Sequence, residues 1–310
     1  LGLTEEDNAL AHLKIFYSYG LSVLHSHLAV GATLTLTNDS VVDEAFWETI
    51  KTQKITSFAG VPHTFLSTDQ MKINLESYPS LRYLTQAGGK MQAHDVSRWV
   101  AECKATNIEF YVMYGQTEAS PRISYMTPEM AEKYPNAIGL PVPGGKMSLK
   151  DVDGSLMSAI DTEGELVYEG PNVMMGYAQS LSDLSKDKEV FQLSTGDIAT
   201  QNNEGVFTIV GRLSRFVKPF GVRINLDDIQ KDLSEKGFYA VCTGSDETIV
   251  IAHTPKDNIT QETLAMLATK YALPVAVFKR LELEEIPMLA SGKVDFVSLK
   301  NMQYWLNCKQ

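Results

Sequence analysis

Two short polar motifs in this sequence combine side chains that could bind a nucleotide. Residues 114–118, Y-G-Q-T-E, place an aromatic ring, a hydroxyl and a carboxylate within one pentapeptide. A ring can stack on a purine, a hydroxyl can bond a phosphate oxygen, and a carboxylate can hold Mg²⁺ against phosphates. Residues 194–197, S-T-G-D, offer a second carboxylate, which we expect at a tight turn and suited to accept two hydrogen bonds from a ribose. Either motif alone is more typical of an ordinary polar turn.

A basic strip follows these motifs in a chain that is acidic overall. Residues 211–224, G-R-L-S-R-F-V-K-P-F-G-V-R-I, look like a joint between two bodies and carry four cations that suit an anionic ligand: Arg212, Arg215, Lys218 and Arg223. Near the C-terminus, Lys293 follows a Ser-Gly turn, from which one long cation could be delivered to a distant site. A plain surface lysine is the alternative interpretation.

The sequence lacks the patterns of several other sites. Residues 139–147, G-L-P-V-P-G-G-K-M, do not fit the phosphate-loop template, because Gly145 and Lys146 stand where a lysine and a hydroxyl are needed, and we interpret them as a β-barrel loop. There is no G-x-S-x-G nucleophile elbow. Of the six histidines only His25 and His27 are near neighbours in the sequence, and on a helix they would face apart, so we expect no metal site built on histidine. The three cysteines are too far apart to indicate a disulfide framework or a zinc site.

Length and composition indicate a two-domain globular protein. At 310 residues, 44% hydrophobic and 21% charged, the chain can bury a sizeable core. The net charge of -11 argues against nucleic acid and anionic membranes as partners. There is no run of about 18 apolar residues, and the start, L-G-L-T-E-E-D-N, is acidic. We therefore expect no membrane span and no signal peptide, and a cytoplasmic location.

Strand and helix patterns alternate up to about residue 130 and predict a parallel sheet. Predicted helices begin at Asp43, with Phe46, Trp47 and Ile50 on one face, and near Val96. Ligands of such sheets bind beyond the carboxyl ends of the strands, where residues 88–89 and 114–118 fall. The predicted strands are residues 32–37, 54–59, 81–87 and 108–113.

The rest of the chain predicts two further bodies. Short strands between Gly, Pro, Asn and Asp turns indicate a small antiparallel β-barrel or sheet over residues 135–211. Residues 212–310 predict a small α+β domain, with a helix capped by Asn225, a hairpin over residues 239–253, a helix over 258–271 and a strand over 275–278. The expected domains are thus residues 1–211, divided into 1–134 and 135–211, and residues 212–310.

The order and spacing of the motifs, more than any one of them, resemble a known family. Y-G-Q-T-E is followed by G-E-L-x-x-x-G-P-x-V-M-x-G-Y, by S-T-G-D, by G-R-x-x-x-x-V-K-x-x-G-x-R-I and by P-x-x-x-S-G-K-x-D. This series resembles the acyl- and aminoacyl-adenylate-forming superfamily, which includes acyl-CoA synthetases, adenylation domains of nonribosomal peptide synthesis and luciferases. The resemblance covers essentially the whole chain.

The resemblance implies an ATP-dependent ligase that works in two steps. A small carboxylic acid attacks the α-phosphate of ATP, and the acyl-adenylate then passes to the thiol of CoA or of a carrier protein's phosphopantetheine arm, after the C-terminal domain swings about the joint. Lys293 would bridge the acid and the phosphate in the first step, and Lys218 and Gly221 would serve the second.

The remaining implied roles concern the nucleotide. By matching position, Tyr114 beside Gly115 would stack on adenine, Thr117 would touch the α-phosphate and Glu118 would bind Mg²⁺. Asp197 and Arg212 would hold the ribose, and Gly88 and Gly89 would form the floor of the acyl and adenine pocket.

This sequence departs from the family pattern in four places. Ser214 stands at the hinge position, which is usually Asp or Lys, and Tyr17 stands where many acyl-CoA synthetases have His. Pro219 and Phe220 replace a more usual pair. The family also has a further N-terminal stretch with a loop that wraps the β- and γ-phosphates, and it would precede residue 1 here. We therefore expect this chain alone to have little or no adenylation activity, whether it is a fragment of a longer protein or the natural protein is split or truncated.

Two other classes of function stay open at this stage. A non-catalytic nucleotide-binding module would bind AMP or ATP without turnover and would be insensitive to Lys293→Ala. An interaction fragment of a split enzyme would use an exposed sheet edge to dock a partner and would have no affinity for nucleotides. The sequence does not identify the acid, and it does not distinguish CoA from a carrier protein.

Overall fold

The structure is a computed structural model that describes residues 1–151, 153–289 and 294–307. The chain divides into two compact units, Leu1–Val210 and Gly211–Gln310. The expected domain boundary, between residues 211 and 212, lies one residue away from this division. No helix in the described residues is long and apolar enough to cross a lipid bilayer.

The first unit is built on a mixed sheet that the sequence predicted in part. Its described strands run in the order β2-β1-β3-β4-β5-β6-β7, and the first five of these are parallel, as expected. Strands β6 and β7 add an antiparallel edge. The strands are β1 (Asn8–Ala11), β2 (Thr33–Leu36), β3 (Ser57–Gly60), β4 (Tyr83–Gln86), β5 (Glu109–Gly115), β6 (Arg122–Met126) and β7 (Leu140–Pro141).

Amphipathic helices cover this sheet because their apolar residues recur at helical spacing. Helix α4 buries Val96, Trp99, Val100 and Cys103, as predicted. The helices of the unit are α1 (Ser18–Ala29), α2 (Glu44–Thr52), α3 (Pro62–Gln70), α4 (Ala93–Ala105) and α5 (Pro128–Lys133).

Helix α2 begins where the sequence predicted but is capped differently. Phe46, Trp47 and Ile50 are buried, and Asp43 occupies the N-cap position. The carboxylate of Asp43 accepts a hydrogen bond from the Ser40 backbone at 2.7 Å instead of bonding the first turn of the helix.

The second sheet of the first unit is antiparallel and follows residue 145. Its described strands have the order β12-β11-β10-β8-β9, which confirms the prediction of antiparallel strands here. Leu166, Tyr168 and Phe207 are fully or almost fully buried and form the centre of its core. The strands are β8 (Lys146–Lys150), β9 (Leu156–Met157), β10 (Gly164–Glu169), β11 (Leu193–Gln201) and β12 (Phe207–Arg212).

The second unit is the predicted α+β body with its own core, formed around Ile229, Leu233 and Ile251. A hairpin of two-residue strands leads into a sheet of order β15-β16-β17, in which β15 and β16 are the predicted hairpin. Asn225 caps α6 by accepting from the Asp227 backbone, as predicted. The elements are β13 (Phe216–Val217), β14 (Ile224–Asn225), α6 (Leu226–Glu235), β15 (Ala240–Gly244), β16 (Ile249–His253), α7 (Gln261–Tyr271), β17 (Phe278–Glu282) and α8 (Phe296–Asn307).

The strand predicted over residues 275–278 is wrong. Residues Val275–Val277 form a 3-10 turn, and β17 begins only at Phe278. The reason is local, since Pro274 accepts a hydrogen bond from the Val277 backbone at 3.0 Å and closes the turn before the chain extends.

Candidate functional site

The predicted site residues of the first unit gather at the carboxyl ends of its parallel strands. Strands β3, β4 and β5 are neighbours in register, so Gly88 and Gly89 emerge beside the end of β5. Gly88 has a φ of +83°, which favours glycine, and a Cβ at Gly89 would lie 3.2 Å from the ring of Pro62. The Gln86 amide fixes this loop by donating to the Gly89 carbonyl at 2.9 Å. Because Gly88 and Gly89 have no side chains, a ligand could approach their backbone closely.

Gly115 sets the path of the polar loop that leaves β5. A Cβ on Gly115 would lie 1.8 Å from the Pro121 carbonyl oxygen, so no other residue fits without moving the backbone. The same carbonyl accepts from the Gln116 backbone at 2.9 Å and closes the loop. Within it, Thr117–Ala119 form a 3-10 turn, and the exposed Thr117 hydroxyl lies 3.1 Å from the hydroxyl of Ser18 at the start of α1.

The structure brings Tyr114 and Asp197 together across the two sheets of the first unit. The Tyr114 hydroxyl donates to the carboxylate of Asp197, which is only 2% exposed. Tyr114 also packs against the core of the second sheet. The residues predicted to stack on adenine and to bind the ribose, 83 positions apart in the sequence, are therefore direct neighbours.

The tight turn expected at Asp197 is wrong, because residues 194–197 lie inside strand β11. The pairing of β11 with β10 slips between Glu165 and Val167, so that extra residues of β11 bulge out opposite Leu166. The Thr195 hydroxyl donates to the Leu166 carbonyl at 2.7 Å and accepts from the Asp197 backbone at 3.1 Å. Gly196, with a φ of +71°, permits the bulge, which aims Asp197 at Tyr114.

Glu118 is held by the loop that follows β10, residues 170–177, which the sequence analysis did not assign to the site. The Tyr177 hydroxyl donates to Oε1 of Glu118 at 2.8 Å, and the Met174 backbone donates to the Glu118 carbonyl at 2.8 Å. Hydrogen bonding to Glu118 raises the pKa of Tyr177, so the phenol stays protonated and remains the donor. Oε2 of Glu118 has no hydrogen-bond partner among the described residues, and a carboxylate oxygen of this kind suits Mg²⁺.

Asn172 anchors the loop that contains Glu118 through its side-chain amide. Its amide nitrogen donates to the backbone carbonyls of Ala119 and Arg122, and its amide oxygen accepts from the Tyr168 hydroxyl at 2.7 Å. The fully buried Tyr168 thus fixes which way the amide points. Together these bonds hold the part of the loop that follows Thr117 and Glu118.

Arg122 is a further polar residue at this edge that the sequence analysis missed. It begins β6 and pairs in register with Gly115. Its guanidinium lies 5.0 Å from the Tyr19 ring centroid and 3.4 Å from the Ser22 hydroxyl, both on α1. A cation four residues after Glu118, at the start of an apolar strand, is the signal that would have found it.

The second unit presents its predicted residues differently, and one of them is not available to a ligand. Arg215 is 7% exposed and bonds Asp227 at 2.7 Å, the Cys242 carbonyl at 2.7 Å and Gln230 at 2.6 Å. It also lies 4.4 Å from the ring centroid of Phe296. The prediction that all four cations of the strip serve an anionic ligand is therefore wrong for Arg215, because this side chain stabilises the core of the unit.

The other cations of the strip lie on the surface of the second unit. Lys218 is exposed at the start of the turn between β13 and β14, where its backbone donates to Asp246 at 2.7 Å. Arg223 lies over the Phe216 ring at 4.0 Å. Arg212 is exposed and belongs to the second unit, so its pairing with Asp197 around a ribose stays a prediction. Lys293 lies outside the described residues, although Met288 and Val294 on either side of it form a β-bridge.

The described residues contain no group of three His, Cys, Asp or Glu side chains that could hold a metal ion by themselves. A magnesium ion at Glu118 would thus take most of its ligands from phosphate oxygens and water, as Mg²⁺ does at nucleotide sites. The half-buried carboxylate with one oxygen held by Tyr177 fits that role.

The fold and this edge site define a known class of protein. The AMP-binding enzyme family matches residues 1–178. The chain belongs to this family, which confirms the resemblance seen in the sequence.

Curated relatives of the chain are ligases. It is 27% identical to oxalate–CoA ligase of Arabidopsis thaliana over 94% of its length, 28% to 2-succinylbenzoate–CoA ligase of Staphylococcus aureus over 95%, and 26% to D-alanine–D-alanyl carrier protein ligase of Lacticaseibacillus casei over 90%. It spans 59%, 58% and 60% of these three relatives.

Solved structures share the fold. The o-succinylbenzoate CoA synthetase of Bacillus subtilis, in complex with its acyl-adenylate intermediate, matches with a TM-score of 0.79 at 24% identity, over 97% of this chain and 62% of that one. An amide bond synthetase of Marinactinospora thermotolerans matches with a TM-score of 0.75 at 19% identity, over 97% of this chain and 63% of that one. The predicted fold class is confirmed.

Proposed function

We propose that this protein activates a carboxylic acid with ATP and transfers the acyl group to a thiol. The observation that carries the proposal is the hydrogen bond between Tyr114 and Asp197. It joins two of the family's motifs at the edge of the sheet where Gly88 and Gly89 follow strand β4. Because the chain spans only part of its relatives, its substrates and partners are inferred from the site and from what those relatives are named for.

The first step forms a mixed anhydride. A carboxylate oxygen attacks the α-phosphorus of ATP, and the bond from that phosphorus to the bridging oxygen breaks, with its electron pair leaving on pyrophosphate. Negative charge accumulates on the phosphoryl oxygens, so stabilisation is mainly electrostatic. Thr117 would hydrogen-bond the α-phosphate, Glu118 would hold Mg²⁺, which neutralises the leaving charge, and Lys293 would bridge acid and phosphate.

Three side chains would hold the nucleoside. Tyr114 offers a ring face for adenine, and Asp197 offers a carboxylate to the ribose hydroxyls. Arg212 would also bind the ribose. The buried position of Asp197 favours this role, because a carboxylate shielded from water binds hydroxyl donors more strongly than an exposed one.

In the second step a thiolate attacks the acyl carbonyl carbon, the bond to the AMP oxygen breaks and AMP leaves. The relatives named above include both CoA ligases and a carrier protein ligase, so the acceptor is the thiol of CoA or of a carrier protein. Lys218 and Gly221 would contact that acceptor. The acids in the relatives' names differ, and the acid of this protein is not identified by them.

Calorimetric titration of AMP into the chain tests the nucleotide site. We expect AMP to bind, and Asp197→Asn to weaken it about ten-fold, because the amide keeps an acceptor for Tyr114 but loses the charge that strengthens bonds to the ribose. Asp187→Asn, at an exposed aspartate, is the matched control and should bind like the wild type. A wild-type chain that does not bind AMP would contradict the proposal.

Acid-dependent exchange of pyrophosphate into ATP tests the chemistry. Robust exchange by this chain alone would exclude a non-catalytic nucleotide-binding module and would refute the expectation of little activity. No exchange with any acid of a panel, together with AMP binding that Lys293→Ala leaves unchanged, would favour that module. The panel should include amino acids, short aliphatic acids, dicarboxylic acids and benzoates.

A further inference from the structure

Arg122 is a half-buried cation without a carboxylate partner among the described residues. Its recorded contacts are a long hydrogen bond to Ser22 and the face of the Tyr19 ring, and Tyr19 is itself buried with its hydroxyl 2.9 Å from that of Thr85. Burial lowers the pKa of Arg122, because the buried guanidinium loses part of the water that would solvate its charge. The guanidinium remains charged, and most of its five N–H donors have no acceptor among the residues that the structure describes.

Three other arginines of the chain have a carboxylate partner. Arg82 forms an ion pair with the buried Asp7 at 2.8 Å, Arg98 with Asp69 at 2.5 Å, and the buried Arg215 with Asp227 at 2.7 Å. Arg280 bonds only the Ile259 carbonyl among the described residues, but it is exposed and water can solvate its charge. A charge removed from water costs free energy unless an opposite charge compensates it. The half-buried Arg122 therefore indicates an anion that the described side chains do not supply.

The position of Arg122 indicates where that anion belongs. Arg122 pairs with Gly115, directly before the loop that carries Thr117. Ser18, next to the Thr117 hydroxyl, and Ser22, next to Arg122, are one helical turn apart on α1, about 6 Å along the helix axis. Arg122 thus lies roughly one turn deeper along α1 than the hydroxyl proposed to touch the α-phosphate.

We propose that the acid activated by this protein carries a second anionic group, a carboxylate, and that Arg122 binds it. The proposal rests on the proposed function, since the first carboxylate must reach the phosphate near Thr117. A separation of about 6 Å matches the two carboxylates of an extended dicarboxylic acid of five or six carbons. Arg122 is then a specificity-determining residue, because a fork of N–H donors binds a carboxylate bidentately.

The test compares acids of equal length. Glutarate and adipate are titrated calorimetrically into the chain, with and without AMP, beside pentanoate and hexanoate. We expect the dicarboxylates to bind at least about ten-fold more tightly, the usual effect of a charge-assisted bond to a buried group. Arg122→Gln should abolish this preference and Arg122→Lys should restore part of it, with AMP affinity unchanged in both. Arg98→Gln, at a surface arginine, is the matched control.

Each outcome bears on one of the two proposals. Equal binding of both acid classes, or a dicarboxylate preference that survives Arg122→Gln, overturns the assignment of Arg122 while AMP binding still supports the nucleotide site. If the chain binds no acid and Arg122→Gln is more stable than the wild type, the cation belongs to an ion pair with another polypeptide segment. This outcome also overturns the assignment of Arg122. Loss of AMP binding alone contradicts the proposed function. Should Arg122→Gln not fold, the wild-type acid series and Arg122→Lys decide.

Discussion

The two units carry the family's motifs in different physical settings. In the first unit, Tyr114, Glu118 and Asp197 are tied to distant strands and loops by hydrogen bonds, and Asp197 is buried. In the second, Lys218 and Phe220 stand exposed on a six-residue turn between two-residue strands. The groups proposed to hold a nucleotide are thus fixed by the fold, whereas Lys218 and Phe220 lie on an exposed turn.

This difference predicts how substitutions divide. A change in the first unit should alter both stability and binding, because each site group also joins two parts of the core. A change on the turn of the second unit should leave binding and most of the stability intact. The following predictions are arranged from the largest expected effect to the smallest.

Asn172→Ala should destabilise the first unit most. It removes three hydrogen bonds and leaves the buried Tyr168 hydroxyl and two carbonyls without their partner, at a cost of about 3 kcal/mol. Urea denaturation measures the loss, and Asn38→Ala, at an exposed asparagine with one long bond, serves as the control. Equal denaturation midpoints for the two variants would refute the anchoring role.

Acid should destabilise the first unit through His12. Burial lowers the pKa of His12 to about 4 from an ordinary value of 6.5, and its ring packs edge-on against Phe46. Between these pH values the unfolded chain binds a proton that the folded chain does not, so stability falls as pH decreases from about 6.5 to 4. The loss between pH 7 and pH 4.5 should be about 2 kcal/mol.

Thermal unfolding over this pH range tests the effect. His12→Leu should flatten the dependence, and His25→Leu, at an exposed histidine, should not. An unchanged pH profile in His12→Leu would show that other groups cause the acid sensitivity.

Tyr177→Phe should weaken binding of Mg²⁺-ATP but spare AMP in the absence of metal. The phenol holds one oxygen of Glu118, and its loss should cost about 1 kcal/mol of metal-dependent affinity, a factor of about five. Tyr239→Phe, at another exposed tyrosine, controls for a general effect of removing a hydroxyl. A similar loss for AMP alone would mean that Tyr177 acts on the fold and not on the position of Glu118.

Phe220→Asn should slightly stabilise the second unit. Phe220 is 77% exposed and has a φ of 52°, a left-handed conformation that asparagine tolerates better than an aromatic residue. The expected gain is about 0.5 kcal/mol, since little apolar surface is lost. Phe191→Asn, at a comparably exposed phenylalanine without positive φ, should give no gain, and equal effects would exclude backbone strain as the cause.

The elements with a strong local pattern could be predicted from the sequence. Helices α2 and α4 have apolar residues at helical spacing, and β2 to β5 are β-rich runs that end at turn residues. Strand β1, N-A-L-A, has no such pattern, and its place in the parallel sheet comes from pairing with β2 on one side and β3 on the other. Pairing between distant segments overrode the weak local signal here.

The site residues were predictable by type, but their supports were not. Tyr177 meets Glu118 across 59 residues, and no spacing rule connects them. The bulge at Asp197 depends on a register slip between two strands, for which Gly196 is the only local sign. Arg215 looked like its basic neighbours in the sequence, and only burial separates it from them.

The close approach of Gly115 to Pro121 has a consequence for laboratory evolution of this protein. Because Gly115 lacks a Cβ atom, the loop that carries Thr117 and Glu118 can pass close to the Pro121 carbonyl. A saturation library over this loop should return glycine alone at that position, whichever acid is used for selection. A library is better directed at Lys218 and Phe220, which are exposed, so that many substitutions there should leave a folded chain to screen.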